Sequence, residues 1–261
     1  MADIDTVNEN ATDTNSAEAH AWRRRAGLAY RRHHDRMMQF AAYLEEKQRA
    51  ESAHAHDKAA PPEPTTKFVT IIGDTQEEEP PRKKLFGEVP IIEGERIVLD
   101  RVVDSDADAL RDLIENPLVQ RYLPTYLFEK QFDDAHEAIS KLYGDLFTNE
   151  ESLILAIRVK ETGELAGLAE FYGLRDRLHK ISMGYRLREC WWGQGLATEA
   201  ARLMVSYLYG ETDIEIITAS TMIENEASAH VLENADFIRT ARYVEEDWGF
   251  PEPTIVDKWF C

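Results

Sequence analysis

Cysteine is scarce in this chain of 261 residues, whose sequence contains Cys190 and Cys261 and no others. Two cysteines cannot form the disulfide framework of a small secreted protein, so the sequence favours a reducing compartment and predicts a cytoplasmic protein. Long apolar runs are also missing, and no stretch approaches the roughly 20 residues that a membrane helix needs, so no membrane span is expected. The opening MADIDTVNEN is acidic and polar, which does not resemble a signal peptide.

Positive charge is in short supply. The chain has 30 Lys and Arg against 49 Asp and Glu, a net charge of −19. Residues 91–261 carry 17 of the basic and 33 of the acidic residues, a net charge of −16. A domain this acidic repels nucleic acid and attracts cations, so we expect no nucleic-acid partner and an acidic cleft for a cationic ligand. Solubility alone is the competing explanation of the charge.

The first 91 residues differ from the rest and divide into three segments. Residues 1–15 are polar and predict disorder. Residues 16–60 predict a basic amphipathic helix, and residues 61–91, rich in Pro and Glu, predict a linker with a short strand at 68–72. Its basic face can dock on its own acidic domain, on another subunit or on an anionic surface. Of these we expect an acidic protein surface, which makes a second copy of the chain or another protein its partner. His54 and His56 lack a second ligand pair, so no metal is expected.

A turn with two glycines follows an apolar strand at 179–187. Gly193 and Gly195 carry no Cβ, so the backbone there can turn tightly and approach a ligand closely. The amphipathic helix that starts after Gly195 points its unpaired N–H groups back into this turn, and such an end attracts phosphate. An ordinary strand-to-helix turn would use the same glycines. The dinucleotide-binding fingerprint needs a third glycine where this chain has Thr198, and the P-loop lysine is missing.

The surrounding pattern is that of an antiparallel meander. Strands separated by short turns precede the glycine turn, whereas a dinucleotide-binding unit would alternate strands with helices. The sequence therefore predicts an α/β (α+β) fold with a mixed, mostly antiparallel sheet flanked by helices. Its predicted strands are 152–157, 165–172, 179–187, 214–220, 237–244 and 254–260, with a helix after Gly195 and another at 225–234.

Residues 92–261 contain a series of motifs in a fixed order: Arg96 to Leu99 on a first strand, 104–114 as a first helix, Gly167, Gly184 to Leu187, Trp192 to Gly195, Ala197 to Ala200, Asn225, Ser228, Val231, Leu232 and Phe237. In these residues the chain from 92 to 261 resembles the GNAT acyl-CoA N-acyltransferases, and within them the RimJ/RimL-type branch. The resemblance covers about two-thirds of the chain. Two positions depart from the family pattern: Cys190 replaces a Gln or Arg, and Asp236, which replaces a Gly, must adopt a left-handed conformation.

The resemblance implies acetyl-CoA as cofactor. Its diphosphate would lie on the backbone N–H groups of Trp192 to Ala197, and its pantetheine arm would add a strand along Tyr185 to Leu187. A bulge near Tyr185 or Arg186 would leave a free N–H for the thioester oxygen. Asn225 would hydrogen-bond the pantetheine arm. The implied cofactor-binding residues are Tyr185, Arg186, Leu187, Trp192, Gly193, Gln194, Gly195, Leu196, Ala197, Thr198, Asn225 and Ser228.

The reaction implied is acetyl transfer to a primary amine by direct nucleophilic attack. The amine must lose a proton, and the departing thiolate benefits from a donor. Ser228 matches the family's proposed donor, while Glu246, Asp247 and Glu170 are candidate bases. Each has a structural alternative: Ser228 as a helix-start residue, and the carboxylates as solvated surface. Glu199 is interpreted as outward-facing surface of its helix.

The sequence does not choose among several acceptors and functions. The acceptor would be a protein N-terminus, a lysine, a polyamine or an aminoglycoside. A non-catalytic acyl-CoA-binding sensor or scaffold, acting through the helix at 16–60, is the main alternative, and nucleotide or dinucleotide binding is a third.

Overall fold

The computed structural model describes residues 82–261. The predictions that lie wholly or mostly outside these residues are the disorder at 1–15, the helix at 16–60 with its two histidines, and the linker and short strand within 61–91. The end of that linker packs against the domain that follows: Leu85 is buried, and the backbone N–H of Lys83 donates to the carbonyl of Glu211.

Over residues 82–261, eight strands form one sheet in the order β1-β2-β3-β4-β5-β6-β8-β7. All neighbouring strands are antiparallel except β5 and β6, which are parallel. This confirms the predicted mixed, mostly antiparallel sheet. The strands are β1 (Ile92–Glu93), β2 (Ile97–Asp100), β3 (Ser152–Val159), β4 (Leu165–Arg175), β5 (Lys180–Leu187), β6 (Ile216–Met222), β7 (Ile238–Glu246) and β8 (Thr254–Phe260).

Helices connect and cover these strands. They are α1 (Ala107–Glu115), α2 (Pro117–Gln120), α3 (Ala135–Lys141), α4 (Leu196–Glu211) and α5 (Glu226–Asn234). The predicted helix at 104–114 begins instead as a 3-10 turn over Asp104–Asp106. The Asp106 carboxylate accepts a hydrogen bond from the N–H of Val103 at 2.9 Å, as in a capping box, and it also pairs with Arg158.

The core lies at the centre of the sheet. Nearly every residue of β3 is buried on either face, because the run SLILAI has no polar alternation to direct one face to water. Helix α4 contacts β1, β2 and β5, while α1 contacts β4. Burial on this scale holds the central strands rigidly, so the residues at their ends have fixed positions.

Strands β5 and β6 separate after a short contact. They pair from Lys180 to Ser182 of β5, opposite Ile216 to Thr218 of β6, and beyond Thr218 β6 keeps β8 as its neighbour on the other side alone. The last five residues of β5, Met183 to Leu187, therefore have β4 as a neighbour on one side and an open edge on the other. The predicted open edge near Tyr185 to Leu187 is confirmed.

The bulge predicted near Tyr185 or Arg186 is wrong. The register between β4 and β5 is regular from Gly167 to Tyr172, and it shifts only beyond Tyr172, at the far end of the pair. No bulge is needed to free an amide, because alternate residues of a strand direct their N–H and C=O groups to opposite sides. A regular β5 with one partner already offers unpaired groups along its open edge.

Candidate active site

The glycine turn has the geometry that the sequence predicted. After β5, a 3-10 turn at Glu189–Trp191 leads to Gly193 with φ +70° and Gly195 with φ +77°, and α4 starts at Leu196. Both values lie in the left-handed region that side chains disfavour. The four residues from Trp192 to Gly195 are exposed, and a Cβ on Gly193 would meet open space. The turn is therefore accessible rather than packed.

A run of unpaired N–H groups lines this turn. Glu199 is the first residue of α4 whose N–H bonds back, to the carbonyl of Gly195 at 3.1 Å. Within residues 82–261, the N–H groups of Gly193, Gln194, Gly195, Leu196, Ala197 and Thr198 donate to no protein group. The N–H of Trp192 does not belong to this set, because it donates to the carbonyl of Glu189 at 3.0 Å. The predicted cradle thus begins one residue later, at Gly193.

Trp192 contributes to the shape of the turn instead. Its indole Nε1 donates to the carbonyl of Leu187 at 2.8 Å, which ties the turn to the end of β5. The side chain of Leu187 is buried, so only its backbone is available to bind a ligand. The exposed Cys190 accepts a hydrogen bond on its backbone carbonyl from the Gln194 side chain at 3.0 Å. Because this bond does not involve the side chain of residue 190, the turn keeps it although Cys190 departs from the family pattern.

Glu199 is not outward-facing surface, and that interpretation is wrong. Its side chain is 15 % exposed, and its Oε2 lies 2.8 Å from Nε of Arg96. Its Oε1 also accepts a hydrogen bond from the Arg96 backbone N–H at 2.8 Å. The negative charge that would repel an anion at the start of α4 is therefore paired.

A cleft of about 1050 Å³ opens where β5 and β6 separate. The open-edge residues of β5 and the facing residues of β6, Thr218 to Thr221, form two of its walls. Segment 122–131 and residues Glu246 to Trp248 also line it. Among the predicted site residues, the cleft brings together Glu170, Tyr185, Arg186, Asn225, Ser228, Glu246 and Asp247. The glycine turn lies just beyond the end of β5, so one strand connects the two parts of the predicted site.

Tyr185 and Ser228 form a hydroxyl pair in this cleft. The two side-chain oxygens are 3.0 Å apart, and the tyrosine O–H also lies 3.2 Å from the carbonyl of Ser228. Burial raises the pKa of Tyr185, and the serine contact opposes this weakly, so the phenol keeps its proton. Asn225 precedes α5, as the sequence predicted, and its Oδ1 accepts from the Ser228 N–H at 3.1 Å.

The three candidate bases differ in how they are bonded. Both oxygens of Glu170 are occupied, by the Ser152 hydroxyl at 2.7 Å and by Arg186 at 3.0 Å. Both oxygens of Glu246 are also occupied. They contact Lys258 and the indole N–H of Trp248, the latter at 3.0 Å.

Asp247 is bonded differently from these two glutamates. Its Oδ1 accepts from the N–H of Gly249 at 2.8 Å, and its Oδ2 has no hydrogen-bond partner among residues 82–261. Of the three carboxylates, Asp247 is the exposed one with an oxygen left to accept a proton.

The cleft is not strongly acidic, contrary to the sequence prediction. The lining carboxylates are balanced by an equal number of lining cations, and the acidic excess of the domain therefore lies elsewhere. The two sets are Glu151, Glu170, Glu246 and Asp247 against Arg175, Lys180, Arg186 and Lys258. Negative charge is concentrated locally around Tyr126: burial raises the pKa of this tyrosine, and Glu246, Asp247 and Glu170 raise it further.

Sequence reasoning missed the buried anchor of the cleft wall. Arg186 lines the cleft, but its side chain is buried. Its Nη2 lies 2.6 Å from Oε1 of Glu129, which is itself buried, and its Nη1 lies 3.0 Å from Glu170. Burial lowers the pKa of Arg186, but the two carboxylates raise it by more, so the guanidinium stays charged. No local pattern marks a pair separated by 57 residues in the chain.

Removing Glu129 should destabilise the fold, since it leaves a buried cation with one partner fewer. We expect Glu129→Ala to lower the free energy of unfolding by about 3 kcal/mol. Urea unfolding followed by circular dichroism measures this, with the exposed Glu137→Ala as control. Equal stability of the two variants would contradict the anchoring role.

The residues that form this site lie mostly within a segment that matches a known protein family. Residues 96–238, just over half of the chain, match the acetyltransferase (GNAT) domain family. The chain belongs to the GNAT family. It is therefore an enzyme of the acetyltransferase type. A curated relative, the "Uncharacterized N-acetyltransferase YoaA" of Bacillus subtilis (strain 168), is 29 % identical over 145 residues, which span 55 % of this chain and 80 % of the relative.

Solved structures of acetyltransferases share the fold of this GNAT domain. RimL, a ribosomal L7/L12 alpha-N-protein acetyltransferase in complex with coenzyme A, has a TM-score of 0.57 at 18 % identity. The match covers 66 % of this chain and 97 % of RimL. Spermidine N-acetyltransferase from Vibrio cholerae, in complex with CoA and spermine, has a TM-score of 0.54 at 16 % identity, covering 64 % and 95 %. At these identities the likeness establishes the GNAT fold.

One further property follows from the helices of this GNAT domain. Across residues 82–261, each helix is too short or too polar to cross a bilayer.

Proposed function

We propose that this GNAT enzyme transfers an acetyl group from acetyl-CoA to a primary amine, as RimJ/RimL-type enzymes do. The observation that supports this most is the continuity of the site. A run of unpaired N–H groups, Gly193 to Thr198, whose first three residues are exposed, adjoins the open edge of β5, and that edge leads to the Tyr185–Ser228 pair in the cleft. A ligand with a diphosphate at one end and an extended amide-containing arm matches both parts.

The residues present fit such a ligand. Unpaired backbone N–H groups at the start of a 16-residue helix favour a diphosphate. Along β5, the backbone groups of Tyr185 and Leu187 face the open edge and can pair with the amides of a pantetheine arm. Those of Arg186 face β4, on the side where the N–H of Arg188 donates to the carbonyl of Ala166. Asn225 has its Oδ1 occupied by the Ser228 N–H, which leaves its side-chain NH₂ to donate to that arm.

The chemistry requires two proton movements. Acetyl-CoA supplies an activated acyl group as a thioester. When the neutral amine attacks, a C–N bond forms and the C–S bond breaks; the nitrogen gives up one proton and the sulfur gains one. An unpaired N–H of β5 stabilises the charge that develops on the thioester oxygen. We assign proton acceptance to Asp247, because Glu170 and Glu246 are bonded at both oxygens, and stabilisation of the leaving sulfur to Ser228.

Ser228→Ala tests the last assignment. A hydrogen bond to a charged group contributes about 1.5 kcal/mol, which corresponds to roughly tenfold in rate. We expect kcat to fall about tenfold with little change in the affinity for coenzyme A, since the Asn225 cap bonds the backbone N–H and persists in the variant. Steady-state kinetics and calorimetry measure the two quantities. The control is Ser140→Ala, whose hydroxyl bonds the carbonyl of Glu137 on α3. A loss of affinity at constant kcat would contradict the assignment.

The acceptor class follows from a direct screen. Thiol release from acetyl-CoA is measured with peptides carrying a free N-terminus, with spermidine and with an aminoglycoside, and N-terminally acetylated peptide serves as control. We expect thiol release with at least one amine and none with the blocked peptide. Coenzyme A binding without thiol release from any amine would favour the non-catalytic sensor or scaffold, and tighter binding of NAD than of coenzyme A in calorimetry would overturn both.

A further inference from the structure

Arg96, just before β2, makes two hydrogen bonds to Glu199 on α4 and one to the glycine turn. Its Nε donates to Oε2 of Glu199 at 2.8 Å, and its Nη1 donates to the carbonyl of Gln194 at 2.7 Å. Its backbone N–H donates to the other oxygen of Glu199 at 2.8 Å. Glu199 therefore holds both the backbone and the side chain of Arg96, and this fixes the guanidinium in the orientation that bonds the Gln194 carbonyl.

The bond to the Gln194 carbonyl sets the orientation of a peptide group. In a trans peptide the C=O of one residue and the N–H of the next point in opposite directions. Holding the Gln194 carbonyl toward Arg96 therefore turns the Gly195 N–H to the other side, where it donates to no group within residues 82–261.

This orientation needs an anchor because the next residue is glycine. Gly195 has φ +77°, and glycine populates positive and negative φ about equally. Without the bond from Arg96, the peptide between Gln194 and Gly195 could rotate and present its carbonyl oxygen in place of its N–H. A carbonyl oxygen repels a diphosphate, whereas an N–H binds it.

The charge of Glu199 requires the same partner. Glu199 is in the first turn of α4, next to the unpaired N–H groups, where an uncompensated carboxylate would oppose a bound anion. Its side chain is mostly buried, while that of Arg96 is 49 % exposed. Arg96 thus neutralises Glu199 and uses it as a fixed support at the same time.

We propose that Arg96, held by Glu199, is a positioning residue that fixes the Gly195 N–H toward the diphosphate of the acyl donor. The proposal rests on the proposed function, because it assumes that the turn receives a diphosphate. It assigns to Arg96 a role in discriminating donors that carry the diphosphate from donors that lack it.

The test compares coenzyme A with pantetheine, which has the same thiol arm and no diphosphate. Calorimetry is done on the full chain for the wild type, Arg96→Lys and Arg96→Met. Lysine keeps the charge but cannot bond Glu199 and Gln194 through two fixed N–H groups. We expect coenzyme A to bind about tenfold more weakly to Arg96→Lys, and more weakly still to Arg96→Met, with pantetheine affinity unchanged in both. Unchanged coenzyme A affinity, or equal losses for both ligands, would overturn the proposal.

Glu199→Ala separates positioning from charge. If the net charge near the turn were decisive, removing this carboxylate would strengthen the binding of coenzyme A; if Glu199 supports Arg96, its removal weakens binding. We expect weaker binding, and tighter binding would overturn the proposal.

The control is Arg202→Met. Arg202 is on α4, as Glu199 is, but its guanidinium bonds the carbonyl of Asn234 and not the glycine turn. It should bind both ligands as the wild type does, and circular dichroism verifies that all variants are folded. Failure of the wild type itself to bind coenzyme A would refute the proposed function rather than the role of Arg96.

Discussion

Gly195→Asp should weaken the binding of coenzyme A by at least about 100-fold. The new carboxylate would stand among the unpaired N–H groups of the turn, where it competes with the diphosphate for them and repels it. The added Cβ would lie 3.4 Å from Nη2 of Arg96, and the φ of +77° would be strained for any side chain. Isothermal titration calorimetry of the wild type and the variant measures the change.

The chain offers a matched control for strain and charge. Gly163 has φ +73°, and a Cβ placed there would meet nothing within 4 Å. Gly163→Asp therefore introduces the same side chain at a similar positive φ, in the turn between β3 and β4. We expect a comparable loss of stability and no loss of coenzyme A affinity. If the Gly195→Asp protein bound coenzyme A as well as the Gly163→Asp protein does, the diphosphate would have to bind elsewhere.

Asp247→Asn should lower kcat by about 100-fold, which is the usual contribution of a general base at the low end. The substitution preserves the side-chain oxygen that accepts from the Gly249 N–H, so the loop between β7 and β8 keeps its shape. It removes the ability of Oδ2 to take a proton from the attacking amine. Initial rates with saturating acetyl-CoA and the best acceptor of the screen measure the effect, and affinity for coenzyme A should not change.

Two variants establish whether the effect belongs to Asp247. Glu252→Gln, at an exposed position of the same loop, should leave the rate unchanged. Glu246→Gln should weaken the contact with Lys258 and lower the rate less than Asp247→Asn does. A larger loss in Glu246→Gln than in Asp247→Asn would transfer the role of base to Glu246.

Local sequence patterns were sufficient for the elements and for the turn. The apolar run at 152–157, the glycines at 193 and 195, and the cap at Asn225 each depend on residues within one or two turns of chain. Asp236 is a further example: the sequence required a left-handed residue there, and its φ is +62°. The prediction of β6 was less accurate, because the strand begins at Ile216 rather than at residue 214.

Contacts between distant parts of the chain could not be read in this way. Arg96 and Glu199 are 103 residues apart, and the sequence led to the opposite environment for Glu199. The same applies to Glu129, which appeared as one of many acidic residues and is buried against Arg186. The charge of the cleft was misjudged for a related reason, because net charge says nothing about which side chains converge.

The gap between β5 and β6 lies inside the sheet, with strands on either side of it. Unpaired strand edges usually invite another protein to add its own strand, which leads to aggregation. Here the unpaired groups of β5 are recessed between two half-sheets, beneath segment 122–131. A single narrow extended molecule can reach them, whereas the strand of a folded neighbour, with its side chains and its own sheet, cannot. The position of this edge inside the sheet thus protects it from the strand addition to which an outer edge is open.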